Sequence, residues 1–390
     1  MKINKVEIIP IDIPQFMAFR TSMGPKMGSN YIIVKVITDE GIEGIGSGTS
    51  YGGVQVQEKT VIAVRNVAKQ ALLGQDPLNT DLILNRIEAM LGEGMIGDNS
   101  RILAHFDYAL HDLKGKILNV PVYQLLGGLC REKIPLEWIT IMDEPEAQAE
   151  LALKYIKAGF HSLKIHVGID HKMAVKRFRA VREAVGPEIP IGIDMAGAWR
   201  AHDALRLIEE LVKYDISFAE DPAKPYDVDG FLSVKNRTCV PLVADRCARS
   251  VTEAYNLIKL RAVDSFHCLL DKVGGLRMAL KYTNLIEAVD LDYAVCVMGV
   301  GISHAAGAHF AVSRLKREGF HDFDDEIGLI LYTYGKTETK GITTDITKEI
   351  NGRIENGYLY PPKGPGLGVE LNEEMVKRYA TPNMNKIVVQ

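Results

Sequence analysis

Three carboxylates stand at the ends of short apolar runs: Ile193-Asp194, Ala219-Glu220 and Ala244-Asp245. One unit earlier, Lys164-Ile165-His166 sets an amine and an imidazole two residues apart, which on a strand puts both on one face. His166, Asp194, Glu220, Asp245 and Leu269 follow one another at intervals of 28, 26, 25 and 24 residues, the length of one strand plus one helix. Brought to a common rim, three anionic side chains repel one another unless a hard cation neutralises them. Mg²⁺ takes oxygen ligands and leaves positions open for substrate oxygens. Any one of these acids alone is better read as a cap for the following helix, but three at one-unit spacing favour a metal site. Histidine transfers protons near neutrality, so His166, paired with Lys164 beside the acids, is a general-base candidate.

Such groups must be carried by elements that converge. From Lys133 onward, apolar runs at 135–141, 162–167, 190–194, 216–220, 241–245, 263–270 and 293–298 alternate with amphipathic stretches. Near-continuous apolar runs suit buried parallel strands, and each parallel connection needs a crossover. Seven or eight such units without a dinucleotide-binding glycine pattern point to a (β/α) barrel, whose active sites lie at the strands' C-terminal ends. The opening third reads differently. Runs at 6–13 and 31–38 look like antiparallel sheet, with a mobile loop expected between them at 15–30 and a turn at Asp39-Glu40-Gly41. Phe106, Ala109, Leu110 and Leu113 then show helical spacing up to Gly127-Gly128, which makes this part an α+β unit. Gly44-x-Gly46-x-Gly48 lacks the third glycine of a cofactor cradle and reads as a loop.

The chain has 390 residues, 47% hydrophobic and 25% charged, as expected of a folded two-part protein. Its net charge of −4 offers no basic stripe, which argues against nucleic acid as a partner. Its five cysteines show no paired spacing and read as reduced residues of a cytoplasmic protein. No apolar run is long enough for a membrane span, and 1–14 does not read as a secretory leader.

Several segments together resemble the enolase superfamily in its mandelate racemase/muconate lactonizing branch. These are Asp107-Tyr-Ala-Leu-His-Asp-Leu-Lys-Gly-Lys116 with Pro121 and Leu125-Leu-Gly127, then Leu163-Lys-Ile-His166, Asp194, Glu220-Asp-Pro222 and Asp245. Lys272-Val-Gly-Gly275 and Pro365-Gly-Leu-Gly-Val-Glu370 extend the match. The resemblance implies an α/β fold: a (β/α)7β TIM-type barrel at 129–344 under an α+β capping domain at 1–128, completed by about 345–390. It implies one Mg²⁺ on Asp194, Glu220 and Asp245, and a small carboxylate substrate whose α-proton is removed to give an enediolate. Lys164 and His166 would be catalytic, and a homo-oligomer is implied. A carboxylate's α-proton is far less acidic than any side-chain base, so the developing charge needs a preorganised counter-charge. The resemblance also implies a Lys or His base working with Mg²⁺, its pKa tuned by its surroundings.

The pattern departs on four strands. His166 stands where the family usually has lysine, Ala196 replaces a common asparagine, and Leu269 occupies the sixth-strand position of a second acid/base. No seventh-strand histidine is found near Gly301, and His304 and His309 read as structural residues of the next helix. One-sided proton chemistry favours β-elimination, that is, a dehydratase. A racemase, epimerase or cycloisomerase acting on an amino-acid or dipeptide-like carboxylate is the second reading, and a non-catalytic metal-binding relative the third. His267, Asp271 and Lys272 are candidates to support the site from behind. Asp322-Phe323-Asp324 resembles the Asp-x-Asp that binds a substrate ammonium in dipeptide epimerases, though an acidic surface loop fits equally well. Capping loops at 16–30 and 47–55 would add Arg20, Lys26 and Tyr51 as substrate contacts.

Overall fold

A computed structural model describes the chain except residues 22–23, 51–55, 93–97, 141, 298–300, 316–322, 326–345 and 349–352. Residues 14–21, 24–29, 98, 139–140, 323–325 and 353 are described by their backbone alone.

The N-terminal part is an antiparallel sheet of β1 (Ile3–Thr21), β2 (Gly24–Thr38) and β3 (Glu43–Thr49). On the sheet lie helices α1 (Glu58–Val67), α2 (Thr80–Leu91) and α3 (Asp98–Leu118). Val6, Ile8, Val34 and Val36 on the strands and Ile102, Phe106, Ala109, Leu110 and Leu113 on α3 share one buried apolar cluster. This is the face that the 3.6-residue period marks. Two readings of this region need correction. The expected loop at 15–30 is the outer part of a long hairpin, where Phe19 pairs with Lys26 and Thr21 with Gly24. Ladder hydrogen bonds hold an extended backbone whatever its side chains, so the absence of apolar alternation hid the strands. The glycines at 44, 46 and 48 also lie on a strand, β3, against α3. A Cβ on Gly46 would sit 2.0 Å from the His105 carbonyl oxygen, so the helix approaches too closely for any side chain.

After α4 (Val122–Leu125) and the short β4 (Ile134–Pro135), eight parallel strands close a barrel. They are β5 (Glu137–Thr140), β6 (Ser162–His166), β7 (Ile191–Asp194), β8 (Ala219–Glu220), β9 (Leu242–Ala244), β10 (Ser265–Leu269), β11 (Asp292–Val297) and β12 (Phe323–Asp325). Between them run α5 (Pro145–Lys157), α6 (His171–Val185), α7 (Ala201–Leu211), α8 (Val228–Lys235), α9 (Val251–Leu260), α10 (Leu270–Val273), α11 (Leu276–Glu287) and α12 (Ile302–Val312). The last strand, β12, pairs with β11 and closes the ring on β5 through Asp324 and Glu137. This is the (β/α)7β architecture.

Beyond the barrel, β13 (Arg353–Glu355) and β14 (Tyr358–Tyr360) pair with each other, and β14 adds to β4. Helix α13 (Glu373–Arg378) follows, and β15 (Ile387–Val389) then joins the edge of β1. Among the described residues no helix is long and apolar enough to cross a membrane. All five cysteines are free thiols.

Candidate active site

Register fixes which side chains meet. Residues directly opposite in a parallel ladder share a face, and His166, Asp194, Glu220, Val243 and Ser265 form one such row across β6 to β10. Glu220 and its row partners His166 and Asp194 are buried within the barrel. Lys164 lies one pleat below His166 on the same face, and Asp245, just beyond β9, lies one pleat above Val243. Lys164, His166, Asp194, Glu220 and Asp245 are thereby brought to one end of the barrel.

The contacts among them are short. Lys164 Nζ is 2.8 Å from Glu220 Oε2, and His166 Nδ1 is 3.2 Å from Asp194 Oδ2. Asp194 Oδ1 accepts from the Ala196 backbone N–H at 2.6 Å. Lys272 Nζ bonds Asp245 Oδ1 and, at 2.5 Å, the Asp245 carbonyl oxygen. His267 Nδ1 is 3.1 Å from Glu220 Oε1. Burial raises the Asp194 carboxyl, but His166, Lys164 and Arg246 outweigh it and hold the group below the ordinary carboxylate range. Glu220 goes the other way. Burial and the charges of Asp194 and Asp245 push it up to about 8 in spite of Lys164. Such crowding of carboxylates is what a bound cation relieves, so the donor set fits a divalent metal. Glu220, Asp245 and His267 each present a ligand atom within 4.8 Å of the others. Asp194 stands outside that close group, tied to His166 and the Ala196 amide.

Asp221 is a residue whose role sequence reasoning missed, although the Glu-Asp-Pro run contained it. Its φ of +45° turns the chain after β8, and its carboxylate accepts from the Asp245 N–H at 3.0 Å and the Arg246 N–H at 2.9 Å. It thereby fixes the end of β9 to that of β8 and sets Asp245 beside Glu220.

The supporting candidates divide. Lys272 faces Asp245 as described. Asp271 instead points to the cap. It accepts from Tyr108 of α3 at 2.7 Å, and burial pushes its carboxyl up to about 6 against the bonds from Tyr108 and the Thr49 N–H and the charge of Arg101. Leu269 is buried on the inward row of β10, in register with Cys296. His309 bonds the Leu367 carbonyl oxygen at 3.1 Å on the buried helix α12. Of the substrate-contact candidates, Tyr51 and Asp322 lie outside the described residues. Arg20 and Lys26 are on the strands of the hairpin rather than in a loop, and Asp324 is on the eighth barrel strand in register with Glu137 and Cys296.

A capped (β/α)7β barrel with acids at successive strand ends is the architecture of the enolase superfamily, and comparison with known proteins agrees. Residues 5–127 match the mandelate racemase/muconate lactonizing enzyme N-terminal domain, and 147–375 the enolase C-terminal domain-like family. The chain belongs to the mandelate racemase/muconate lactonizing family of that superfamily and is an enzyme of its lyase or isomerase kind. It is 31% identical to the N-succinyl-L-Arg/Lys racemase of Bacillus cereus over 381 residues, 97% of each chain. The crystal structure of that racemase superposes with a TM-score of 0.88 and covers 100% of both chains. A mandelate racemase/muconate lactonizing family protein from Azoarcus sp. EbN1 is 33% identical, also with a TM-score of 0.88 and complete coverage of both chains. A dipeptide epimerase from Enterococcus faecalis, solved with Mg and L-Leu-L-Tyr, is 26% identical with a TM-score of 0.82 and covers 95% of this chain and 100% of that one. The relatives named by activity are isomerases, a racemase and an epimerase, rather than dehydratases.

Proposed function

We propose that the protein removes the α-proton of an amino-acid derivative whose amino group is in amide linkage, a dipeptide or an N-acyl amino acid, and returns a proton to the same carbon as an epimerase or racemase. The observation that carries this reading is the row of His166, Asp194 and Glu220, with Lys164 one pleat below, at one barrel end, in a chain similar over nearly its whole length to a racemase of N-succinyl amino acids. The β-elimination favoured by one-sided chemistry has no such support among those relatives.

Asp194, Glu220 and Asp245 would hold Mg²⁺, which when bound offsets the negative charge that grows on the substrate carboxylate. His166 is the base. Its Nδ1 faces Asp194 Oδ2, so Asp194 accepts the Nδ1 proton and leaves the Nε2 lone pair to take the substrate's α-proton. The Lys164 amine, with Nζ 2.8 Å from Glu220 Oε2, would help to bind the substrate carboxylate on the same side of the carbon. Asp324, with Asp322, would receive a dipeptide's ammonium group from the eighth strand, whereas an N-acyl substrate would not need them. Residues 1–128 with 345–390 form the cap that selects the side chain, and 129–344 the catalytic barrel.

Incubation in D₂O with Mg²⁺ and separate pools of dipeptides and N-succinyl amino acids tests this. Cα deuterium by mass spectrometry in either pool, absent in His166→Asn, is the expected outcome. Release of a 2-keto acid without Cα exchange would return the elimination reading.

A further inference from the structure

We infer that His267 is itself a ligand of the metal centre, so that the site contains a nitrogen donor and holds Mn²⁺ or a similar borderline ion more tightly than Mg²⁺. This rests on the reading that Glu220 and Asp245 bind the metal. The sixth strand places His267 and Leu269 on its inward face, two residues apart. Leu269 is apolar, so His267 carries whatever chemistry that strand supplies. Ser265 pairs with Val243, which sets His267 level with Asp245, two residues further along each segment. Its Nδ1 already lies 3.1 Å from Glu220 Oε1, and the ring is 1% exposed. One ligand atom from each of Glu220, Asp245 and His267 falls within a 4.8 Å span. Ligands about 2.1 Å from a common octahedral ion are roughly 3.0 to 4.2 Å apart, so small adjustments bring this trio onto one ion.

Asp194 shows the complementary feature. One of its oxygens takes the Ala196 amide at 2.6 Å and the other faces His166 at 3.2 Å. Exchanging part of a carboxylate's share for an imidazole lowers the advantage of a hard ion and favours metals later in the first row. A histidine that only hydrogen-bonded Glu220 would leave an all-oxygen centre. The two arrangements differ in whether nitrogen is bonded to the metal.

Pulsed electron paramagnetic resonance of the full-length protein loaded with Mn²⁺ reads that difference. The expected result is a ¹⁴N modulation from a directly bonded nitrogen that changes when the wild-type protein carries ¹⁵N-histidine. It should persist in His166→Gln and vanish in His267→Gln. The ratio of Mn²⁺ to Mg²⁺ affinity, by competition titration, should fall on the order of tenfold or more in His267→Gln. Mn²⁺ bound without nitrogen modulation, or modulation that survives in His267→Gln, overturns the inference and leaves the carboxylate centre standing. An unchanged affinity ratio overturns the metal preference. If Mn²⁺ does not bind at all, both the inference and the metal part of the proposed function fall. The isotope experiment needs no substitution, and so an unchanged modulation, or none, overturns the inference even where a variant misfolds.

Discussion

On the proposed reading His166, with Nδ1 3.2 Å from Asp194 Oδ2, serves as base from the second barrel strand, while the sixth carries the apolar Leu269 on its inward face. The proposed base His166 can take a proton from one face and return it there, which restores the configuration; inversion needs a proton on the opposite face, and the apolar Leu269 supplies none. Replacing His166 with asparagine is expected to slow α-proton exchange by about 10²- to 10⁴-fold, the range of general-base catalysis, with the far-ultraviolet circular dichroism spectrum unchanged. Retained exchange would remove His166 as the base. Leu269→Lys tests the other side. A lysine there should raise the ratio of inversion to exchange, measured by chiral chromatography alongside deuterium content; an unaltered ratio would mean that the sixth strand does not face the reacting carbon.

Helix α3 is one of the elements that join cap to barrel. Asp107 accepts from the backbone N–H groups of Leu276 at 2.6 Å and Arg277 at 3.1 Å, where α11 begins. Gly275 precedes them with a φ of +94°, and a Cβ there would lie 2.6 Å from the Asp107 side chain. One turn on, Asp112 accepts from Ile45 at 2.8 Å, Leu367 at 2.7 Å and Lys116 at 2.7 Å, holding β3 and the C-terminal segment to the same helix. Asp107→Ala should therefore cost about 1 to 3 kcal/mol in urea unfolding, because two backbone donors lose their acceptor in a buried setting. A change below about 0.5 kcal/mol would show that the cap bond is dispensable.

The joint formed by Tyr108 and Asp271 adds a pH dependence. Asp271 has its carboxyl raised from 3.8 to about 6 in the folded chain. Between those values the folded state binds more protons than the unfolded one, so this group's contribution to stability falls as pH rises from about 4 to 6 and is level above that. Asp271→Asn removes the effect. Its stability relative to the parent should improve across that window by up to about 3 kcal/mol, read from unfolding curves at several pH values. A pH-independent difference would contradict the raised carboxyl.

At the scale of the molecule, what could be read from sequence and what could not follow from range. The barrel was legible because each strand and its helix is a local unit, and the intervals from His166 to Asp245 repeat that unit. Asp194 and Glu220 then fall into one row by register alone. The 14–29 hairpin was not legible, since it is held by backbone ladders that leave no side-chain pattern. The glycines of β3 could be understood only once α3 was seen to lie on them. Asp221 and His267 needed contacts across strands, to Asp245 in one case and to Glu220 in the other. Removing the metal should affect the whole molecule. A chelator is expected to lower the midpoint of thermal unfolding and abolish exchange together, because the crowded carboxylates are left without a counter-charge. Unaltered unfolding with the metal shown to leave would argue against a centre at Glu220 and Asp245.

The central claim is that His166 takes the α-proton of an amide-linked amino acid from one face and that a proton returns to the same carbon, with inversion when it arrives on the other face. The measurement that tests it most directly is the rate of Cα deuterium incorporation against the rate of inversion, for one dipeptide or N-succinyl amino acid turned over in D₂O with saturating Mg²⁺. The account predicts deuterium entering faster than configuration inverts, with the carbon skeleton and its substituents intact. Loss of a β-substituent as the only reaction, with no deuterium returned to the α-carbon, would contradict it.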